Sequence, residues 1–512
     1  MATQYNSSRV SDLEIKKCDI ISAEGKISIK DAVIEINYFE DIFINSSSGT
    51  LTINDSTGLQ NRLSWTGNEY LELELAKPGT EGIDYILPLK DKFRIYTNSG
   101  RHLTKDDNEN LIVNFCSEEL FLSEKIKISK SYKNKRIDEI VKDICKSFLG
   151  IQVDDVKDEN GKVITPSKLQ LEQTLGTYHI VIPKLKPLEA INWLATMAIS
   201  EKIGPEGGAN YLFYKNRDGY FFKSILSIFN SVTEYRYRNP LSYQEDKNKT
   251  SGSASSGYWY GIKNTSQSNI ASTEESFHGD PYHQIISYQI MNSFDSMESH
   301  QRGMFGNRLL PINFLTRTHE KADFNYDKYW NFIHEKIELY TKPEMNSIKL
   351  TSNATDRFNS NSTVNMESTI KLYPSTTNTL DSEYIKSNRD KNINLSINRV
   401  ENTIPYRYAQ LALIGHTRLK ILIPGDPFIS IGRLVFINFP QTAKDAGGKK
   451  LYDRFLTGYY LVTCVRHKTD QENNFETVLE LLKDSYTGKK LNDEEKTGPS
   501  SFDLLDPNYQ AL

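Results

Sequence analysis

Between residues 415 and 484 the chain reads Thr417-Arg-Leu-Lys-Ile-Leu-Ile423, then the turn Pro424-Gly-Asp-Pro427, then an apolar run over 429–439. A Gly/Lys-rich loop at 446–450 separates this from two further runs, 455–466 and 475–482, themselves divided by the polar loop 467–474. Leu419, Ile421 and Ile423 alternate with smaller or polar neighbours. Such period-two alternation, bounded by Gly, Pro, Asp and Asn, marks half-buried antiparallel strands. The spacing predicts four or five strands with short turns, a small barrel or sandwich. No residue pattern in the stretch points to chemistry.

The wider chain has 512 residues, enough for three or four domains with cores of their own. A net charge of −4 gives no global basic field to draw it to nucleic acid or an anionic membrane. Hydrophobic residues make up only 38%, and Ser, Asn, Tyr and Phe are plentiful, a mixture suited to β-structure with long polar loops. Cys18, Cys116, Cys145 and Cys464 are scattered with no close pair, so the expectation is buried free thiols in a reducing cytoplasm. The first residues lack the basic-then-apolar pattern of a secretory signal, and no apolar run reaches the ~18 residues that span a bilayer.

Outward from the opening stretch, residues 1–128 form an expected first β-domain, in which Leu71, Leu73 and Leu75 alternate with Glu72 and Glu74. Residues 129–225 read as a small α+β domain. Ile137, Ile140, Val141, Ile144 and Phe148 make one helical face that stops at Gly150, and Pro187 opens a second helix. Asn216-Arg-Asp-Gly219 between aromatic runs signals a hairpin. Residues 226–286 read as an irregular insert, with a low-complexity loop at 251–257. A second β-region begins over 287–345, where Tyr326, Tyr329, Trp330, Ile333, Ile337 and Tyr340 make an aromatic stripe best taken as a core face. A polar insertion at 346–416 interrupts it, the main part follows at 417–485, and 486–512 is expected to be a flexible tail.

Motifs for catalysis are missing from this pattern. The chain holds no GxxxxGK[ST] phosphate loop, no GxGxxG after a strand and no GxSxG elbow. His319-Glu and His334-Glu do not extend to HExxH, and the nine histidines are dispersed. A glycosidase needs two carboxylates facing across a sugar. The adjacent pairs Asp106-Asp107 and Asp154-Asp155 lie in polar loops and read as solvated. Basic stretches at 125–130 and 133–136 are diluted by acids. The expectation is therefore no catalytic residues, no cofactor and no metal site.

Two sets of segments resemble a known family. Pro424-Gly-Asp-Pro-Phe, Gly432-Arg-Leu-Val-Phe-Ile-Asn-Phe-Pro440, Arg454-Phe-Leu-Thr-Gly-Tyr-Tyr-Leu-Val-Thr-Cys-Val-Arg-His467 and Phe475-Glu-Thr-Val-Leu-Glu-Leu-Leu-Lys-Asp484 resemble the late tube domain of the central baseplate hub of contractile-tailed phages. Gly49-Thr-Leu-Thr-Ile-Asn-Asp-Ser-Thr-Gly-Leu59, followed by Trp65-Thr-Gly-Asn-Glu-Tyr-Leu-Glu-Leu73, resembles its first tube domain. That family is related to the hub portion of type VI secretion spike proteins.

The resemblance implies a mainly β chain, α+β overall, with two small antiparallel β-barrel tube domains, an inserted α+β domain and long polar loops. It implies a structural virion protein of the tail baseplate, assembled in the host cytoplasm and not an enzyme. The implied homotrimer presents six barrels to a six-fold tail tube and adapts it to a three-fold spike. Implied partners are that spike, a tail tube or tube-initiator protein, the tape measure protein and inner baseplate proteins, with neither nucleic acid nor membrane insertion. Two other classes fit the same composition: a tail-associated peptidoglycan hydrolase, and a receptor- or carbohydrate-binding tail protein.

Overall fold

In the computed structural model, residues 13–56, 58–63, 65–77, 86–103, 109–157, 163–204, 207–229, 258–262, 284–292, 295–313, 317–319, 321–336, 347–348, 369–374, 403–425, 429–444, 450–452, 456, 458–470, 474–483 and 486–487 are described. The chain is mainly β, as its alternation predicts. Most long strands belong to one 14-stranded sheet.

The first unit contains β1 (Glu14–Ser22), β2 (Gly25–Ser28), β3 (Val33–Asp41), β4 (Ser48–Asp55), β5 (Tyr70–Lys77), β6 (Ile86–Leu103) and β7 (Glu109–Ser117). Its ladders run β3-β4-β7-β6-β5-β1-β2, and β2 passes directly into β3 through the 3-10 turn Lys30–Ala32. One broken strand, β2 with β3, thus ladders at both ends of the series. Alternate residues point inward: Leu51, Ile53, Leu71, Leu73, Phe93, Val113 and Phe115 are fully buried. Each contributes about 1.5–3 kcal/mol relative to exposure. Gly49 sits where Phe115 crosses β4; a Cβ there would lie 2.2 Å from the Phe115 ring.

A helix, α1 (Glu118–Lys125), leads to the middle unit: β8 (Ser131–Lys135), α2 (Ile137–Ser147), β9 (Leu169–Leu171), β10 (Tyr178–Val181), α3 (Pro187–Ala195), β11 (Tyr211–Asn216) and β12 (Gly219–Ser224). The apolar face of α2 is buried at Ile137, Ile140, Val141 and Ile144, and the chain leaves the helix through Gly150 at φ +68°. The hairpin turns at Arg217-Asp218, where Gly219 passes so close to the Lys168 carbonyl that a Cβ would meet it at 2.3 Å.

Later elements are β13 (Tyr258–Ile262), β14 (Gln284–Ile285), β15 (Ser287–Asn292), β16 (Gly306–Asn313), β17 (Ala322–Asn325), α4 (Tyr326–Lys336), β18 (Thr369–Pro374), α5 (Ile404–Ile414), β19 (Thr417–Pro424), β20 (Leu434–Asn438), β21 (Gly458–Asp470) and β22 (Phe475–Lys483). Leu419, Ile421 and Ile423 are buried, as their alternation predicts, and β22 alternates buried and half-buried along its length. Tyr326, Tyr329, Trp330 and Ile333 form a core face; Ile337 and Tyr340 lie outside the described residues. So does the low-complexity loop 251–257.

Two ranges hold elements that their composition does not announce. The range 346–416, expected as a polar insertion, supplies β18, which runs parallel to β16, and α5, which buries Ala409, Ala412 and Leu413. A buried polar residue, Gln410, breaks the apolar run and hides the helix; its amide donates to the Gly207 carbonyl at 2.6 Å. The range 226–286, expected as irregular, supplies β13 and β14 to the large sheet and buries Leu226, Ile228 and Phe229.

The second β unit repeats the strand order of the first. Its ladders run β15-β19-β22-β21-β20-β13-β14, and β14 passes into β15 through Ile286, whose N–H donates to the Leu422 carbonyl at 2.8 Å. Each series therefore starts and finishes on one bent strand. Local irregularities match too. A bulge lies between Ile95 and Thr97 in β6, and another between Val462 and Cys464 in β21. Just before each bulge, Ile95 N–H donates to Glu69 O (3.1 Å) and Val462 N–H to Arg433 O (2.9 Å). One sense differs: β1 runs antiparallel to its neighbours and β13 parallel.

Candidate assembly surface

The two β units are joined by a ladder. β3 pairs antiparallel with the second half of β21, from Asp41 opposite Cys464 to Glu35 opposite Asp470. The two strands come from opposite ends of the sequence. Arg466 Nε donates to Asn37 Oδ1 at 2.9 Å and its guanidinium lies over the Phe39 ring at 5.7 Å. Tyr38 stacks on His467 with ring centroids 6.3 Å apart. The Lys468–Glu35 pair at 3.3 Å is half exposed and adds little.

All three units meet at Glu40, at the end of β3. Its carboxylate accepts N–H groups from Arg217 in the middle unit (3.0 Å) and Ile431 in the second β unit (3.2 Å), and the Tyr38 hydroxyl at 3.3 Å. Burial pushes its carboxyl up to about 7 against the hydrogen bonds that favour the charge. Beside it, Arg433 pairs with Asp218 at 2.7 Å. Gly432, at φ +75°, packs against Tyr214, whose hydroxyl would lie 2.5 Å from any Cβ. Elsewhere Asn45 and Asn192 exchange amide hydrogen bonds at 2.8 and 2.9 Å, and the Arg407 guanidinium binds the Ala195 and Thr196 carbonyls at the end of α3. The units are fastened by side chains that single runs of sequence do not reveal.

Two strand edges have a different character. Among the described residues β15 ladders with β19 alone. Tyr288 and Ile290 stand opposite Ile421 and Leu419, which are buried in the core, yet they are 48% and 39% exposed. Ile286 and Met291 beside them are also exposed. The second edge is the far half of β6. From Ile86 to Arg94 it pairs with β5, and β7 joins it at Phe93, but from Thr97 to Leu103 it pairs, among the described residues, with β7 alone. Tyr96, at the start of this half, is 53% exposed. Soluble proteins seldom leave an apolar row on an unguarded edge.

The residues weighed for chemistry do not converge. Asp154 is exposed between Lys142 (2.7 Å) and Lys146 (3.1 Å), which hold its carboxyl below the usual range. Asp155 accepts the Ser167 N–H at 2.7 Å. His319 is exposed. Asp106, Asp107 and the His334 side chain lie outside the described residues. Among the described residues no three His, Cys, Asp or Glu side chains gather to hold a metal ion, and no helix is long and apolar enough to cross a membrane. Cys18, Cys116 and Cys145 are buried free thiols, and Cys464 is a half-buried one.

No family model matches the chain, and no curated protein matches it in sequence. It is similar to several solved structures. A tail protein from Neisseria meningitidis MC58 is 11% identical, with a TM-score of 0.44 over 91% of this chain and 96% of that one. The 43 kDa tail protein of prophage MuSo2 from Shewanella oneidensis is 10% identical, with a TM-score of 0.43 over 91% and 97%. A type VI secretion component of E. coli, described as structurally similar to T4 bacteriophage tail proteins, is 8% identical with a TM-score of 0.37 over 93% and 79%. These are the kinds of protein that the sequence segments resemble. At such scores the likenesses carry no assignment by themselves.

Proposed function

We propose that this chain is a structural subunit of a phage-type tail, the central hub of a contractile-tail baseplate. The observation that carries the reading is the strand order repeated within one chain, down to the bulges at Ile95 and Val462. Three such chains would present six alike β units around an axis while keeping three-fold symmetry for everything else. That is what an adapter between a three-fold spike and a six-fold tail tube requires. The sequence resemblance over 10–128 and 287–485 implies the same architecture. The domain division proposed is a tube unit at each end of the chain with the α+β unit between them. Its partners are then a trimeric spike, the tail tube or its initiator, the tape measure protein and inner baseplate proteins, and its place is the virion tail. It needs no cofactor and catalyses nothing.

Light scattering on a size-exclusion column tests the oligomer. The expected mass is about 176 kDa, three times 58.7 kDa, and the trimer should retain a co-expressed spike protein. A dimer, or a trimer that retains neither spike nor tube protein, would count against the hub.

A further inference from the structure

The covered half of β21 and the half of β6 that is uncovered among the described residues occupy equivalent places in the two units. So do β3, which covers β21, and β15, whose outer face is exposed. From this we infer that β15 of one copy pairs antiparallel with the far half of β6 in the next copy, repeating between chains the β3–β21 ladder found within each chain. The inference deepens the proposed function and rests on its trimer.

The register follows from the ladders. Phe39 faces Ser48 across β3 and β4, and Ser48 faces Cys116 in β7. In the second unit Asn292 faces Arg418, which faces Leu482 in β22. Cys116 and Leu482 correspond, because the next residue inward on each strand, Phe115 and Leu481, faces Ile95 and Val462, the residues before the two bulges. Asn292 is therefore the counterpart of Phe39. Counting on from the bulges, Ser99 faces Ile112 and Arg466 faces Val478, so Ser99 is the counterpart of Arg466. Phe39 stands opposite Arg466 within the chain. Asn292 should stand opposite Ser99 of the neighbour. Beyond that pair Gly100, at φ +70°, bends β6, so Asn292–Ser99 is the anchor of the register.

Exposure supports the pairing independently. In β3, Ile36 and Tyr38 are 1% and 3% exposed; their counterparts Tyr288 and Ile290 are 48% and 39% exposed. Tyr96 on the receiving strand is exposed as well. A second copy is the occupant that brings both uncovered strands together at once. Because the two edges differ, the contact is heterologous, and a heterologous contact closes into a ring when its rotation allows.

The test is a cysteine pair in the full-length protein. Ser99→Cys combined with Asn292→Cys places two thiols opposite each other across adjacent strands, within the Cα range of a disulfide. Mild oxidation should give covalent dimers and trimers on a non-reducing gel, and neither single variant should. A second variant, Ile290→Lys, puts a charge on the exposed row, at a side chain that is 39% exposed. It should fold normally by circular dichroism and raise the concentration needed for trimerisation roughly tenfold or more. A trimer that neither cross-links nor responds to Ile290→Lys would overturn the edge pairing and leave the hub reading standing. A disulfide formed within one chain would overturn the pairing too. A wild-type protein of 58.7 kDa at every concentration tested would overturn both.

Discussion

Replacing Glu40 by Gln tests whether the three units are locked together by a buried carboxylate. In the folded chain burial raises this carboxyl to about 7 from an ordinary 4.5. Between those values the folded protein holds a proton that the unfolded chain has released. Stability contributed by the group therefore falls as pH rises through the window. At about 1.4 kcal/mol per pH unit, the loss is about 3 kcal/mol by pH 7 and above. Gln cannot ionise, so it removes this dependence. It also adds a constant cost, because its amide keeps one acceptor for the Arg217 N–H and turns an N–H2 toward the Ile431 N–H. That mismatch should cost about 1–3 kcal/mol at every pH. Urea unfolding of both proteins at one fixed concentration, from pH 4.5 to 8, gives the comparison. The wild-type advantage should be largest near pH 4.5 and shrink by about 3 kcal/mol toward pH 8. Parallel stability curves would refute the reasoning, since they would mean that Glu40 ionises as freely in the folded protein as in water.

Other predictions use the same kinds of measurement. Gly49→Ala drives a methyl group into the Phe115 ring and the Asn37 carbonyl, and should lower the urea midpoint by the equivalent of about 1–3 kcal/mol; an unchanged midpoint would mean the crossing is looser than the structure shows. Arg407→Ala leaves the Ala195 and Thr196 carbonyls at the end of α3 without their guanidinium and should cost about 1–3 kcal/mol in thermal unfolding. Burial pushes the thiols of Cys18 and Cys116 up to about 12 and about 11, so a thiol reagent should leave both unmodified in the native protein and label them after denaturation. Asp154→Asn, at an exposed site, should change stability by no more than about 0.5 kcal/mol and leave assembly intact; peptidoglycan clearing abolished by that change would instead favour a hydrolase.

Much of the β framework was legible because side-chain alternation is local. Thr417 to Ile423 and the β22 segment carry it plainly, as does the helical face from Ile137 to Ile144. The repeat was not legible. Equivalent positions carry unrelated residues: Phe39 corresponds to Asn292, Tyr38 to Ile290, and Ser99 to Arg466. What the units share is ladder order and the place of a bulge, and neither leaves a residue signature. The β3–β21 ladder joins strands from opposite ends of the chain, and nothing at Glu40 marks it as buried. Helix α5 was missed because Gln410, a polar residue satisfied only by distant partners, sits inside its apolar face. The exposed row on β15 has a readable counterpart in Ile285-Ile-Ser-Tyr-Gln-Ile-Met291, whose apolar content is clear while its lack of cover is not.

End-on electron micrographs of the purified assembly test the central claim most directly. The account predicts class averages with six similar lobes around a channel, alternating between the first and second β units of three chains. Averages with two-fold symmetry, or with three lobes and no subsidiary set between them, would contradict it.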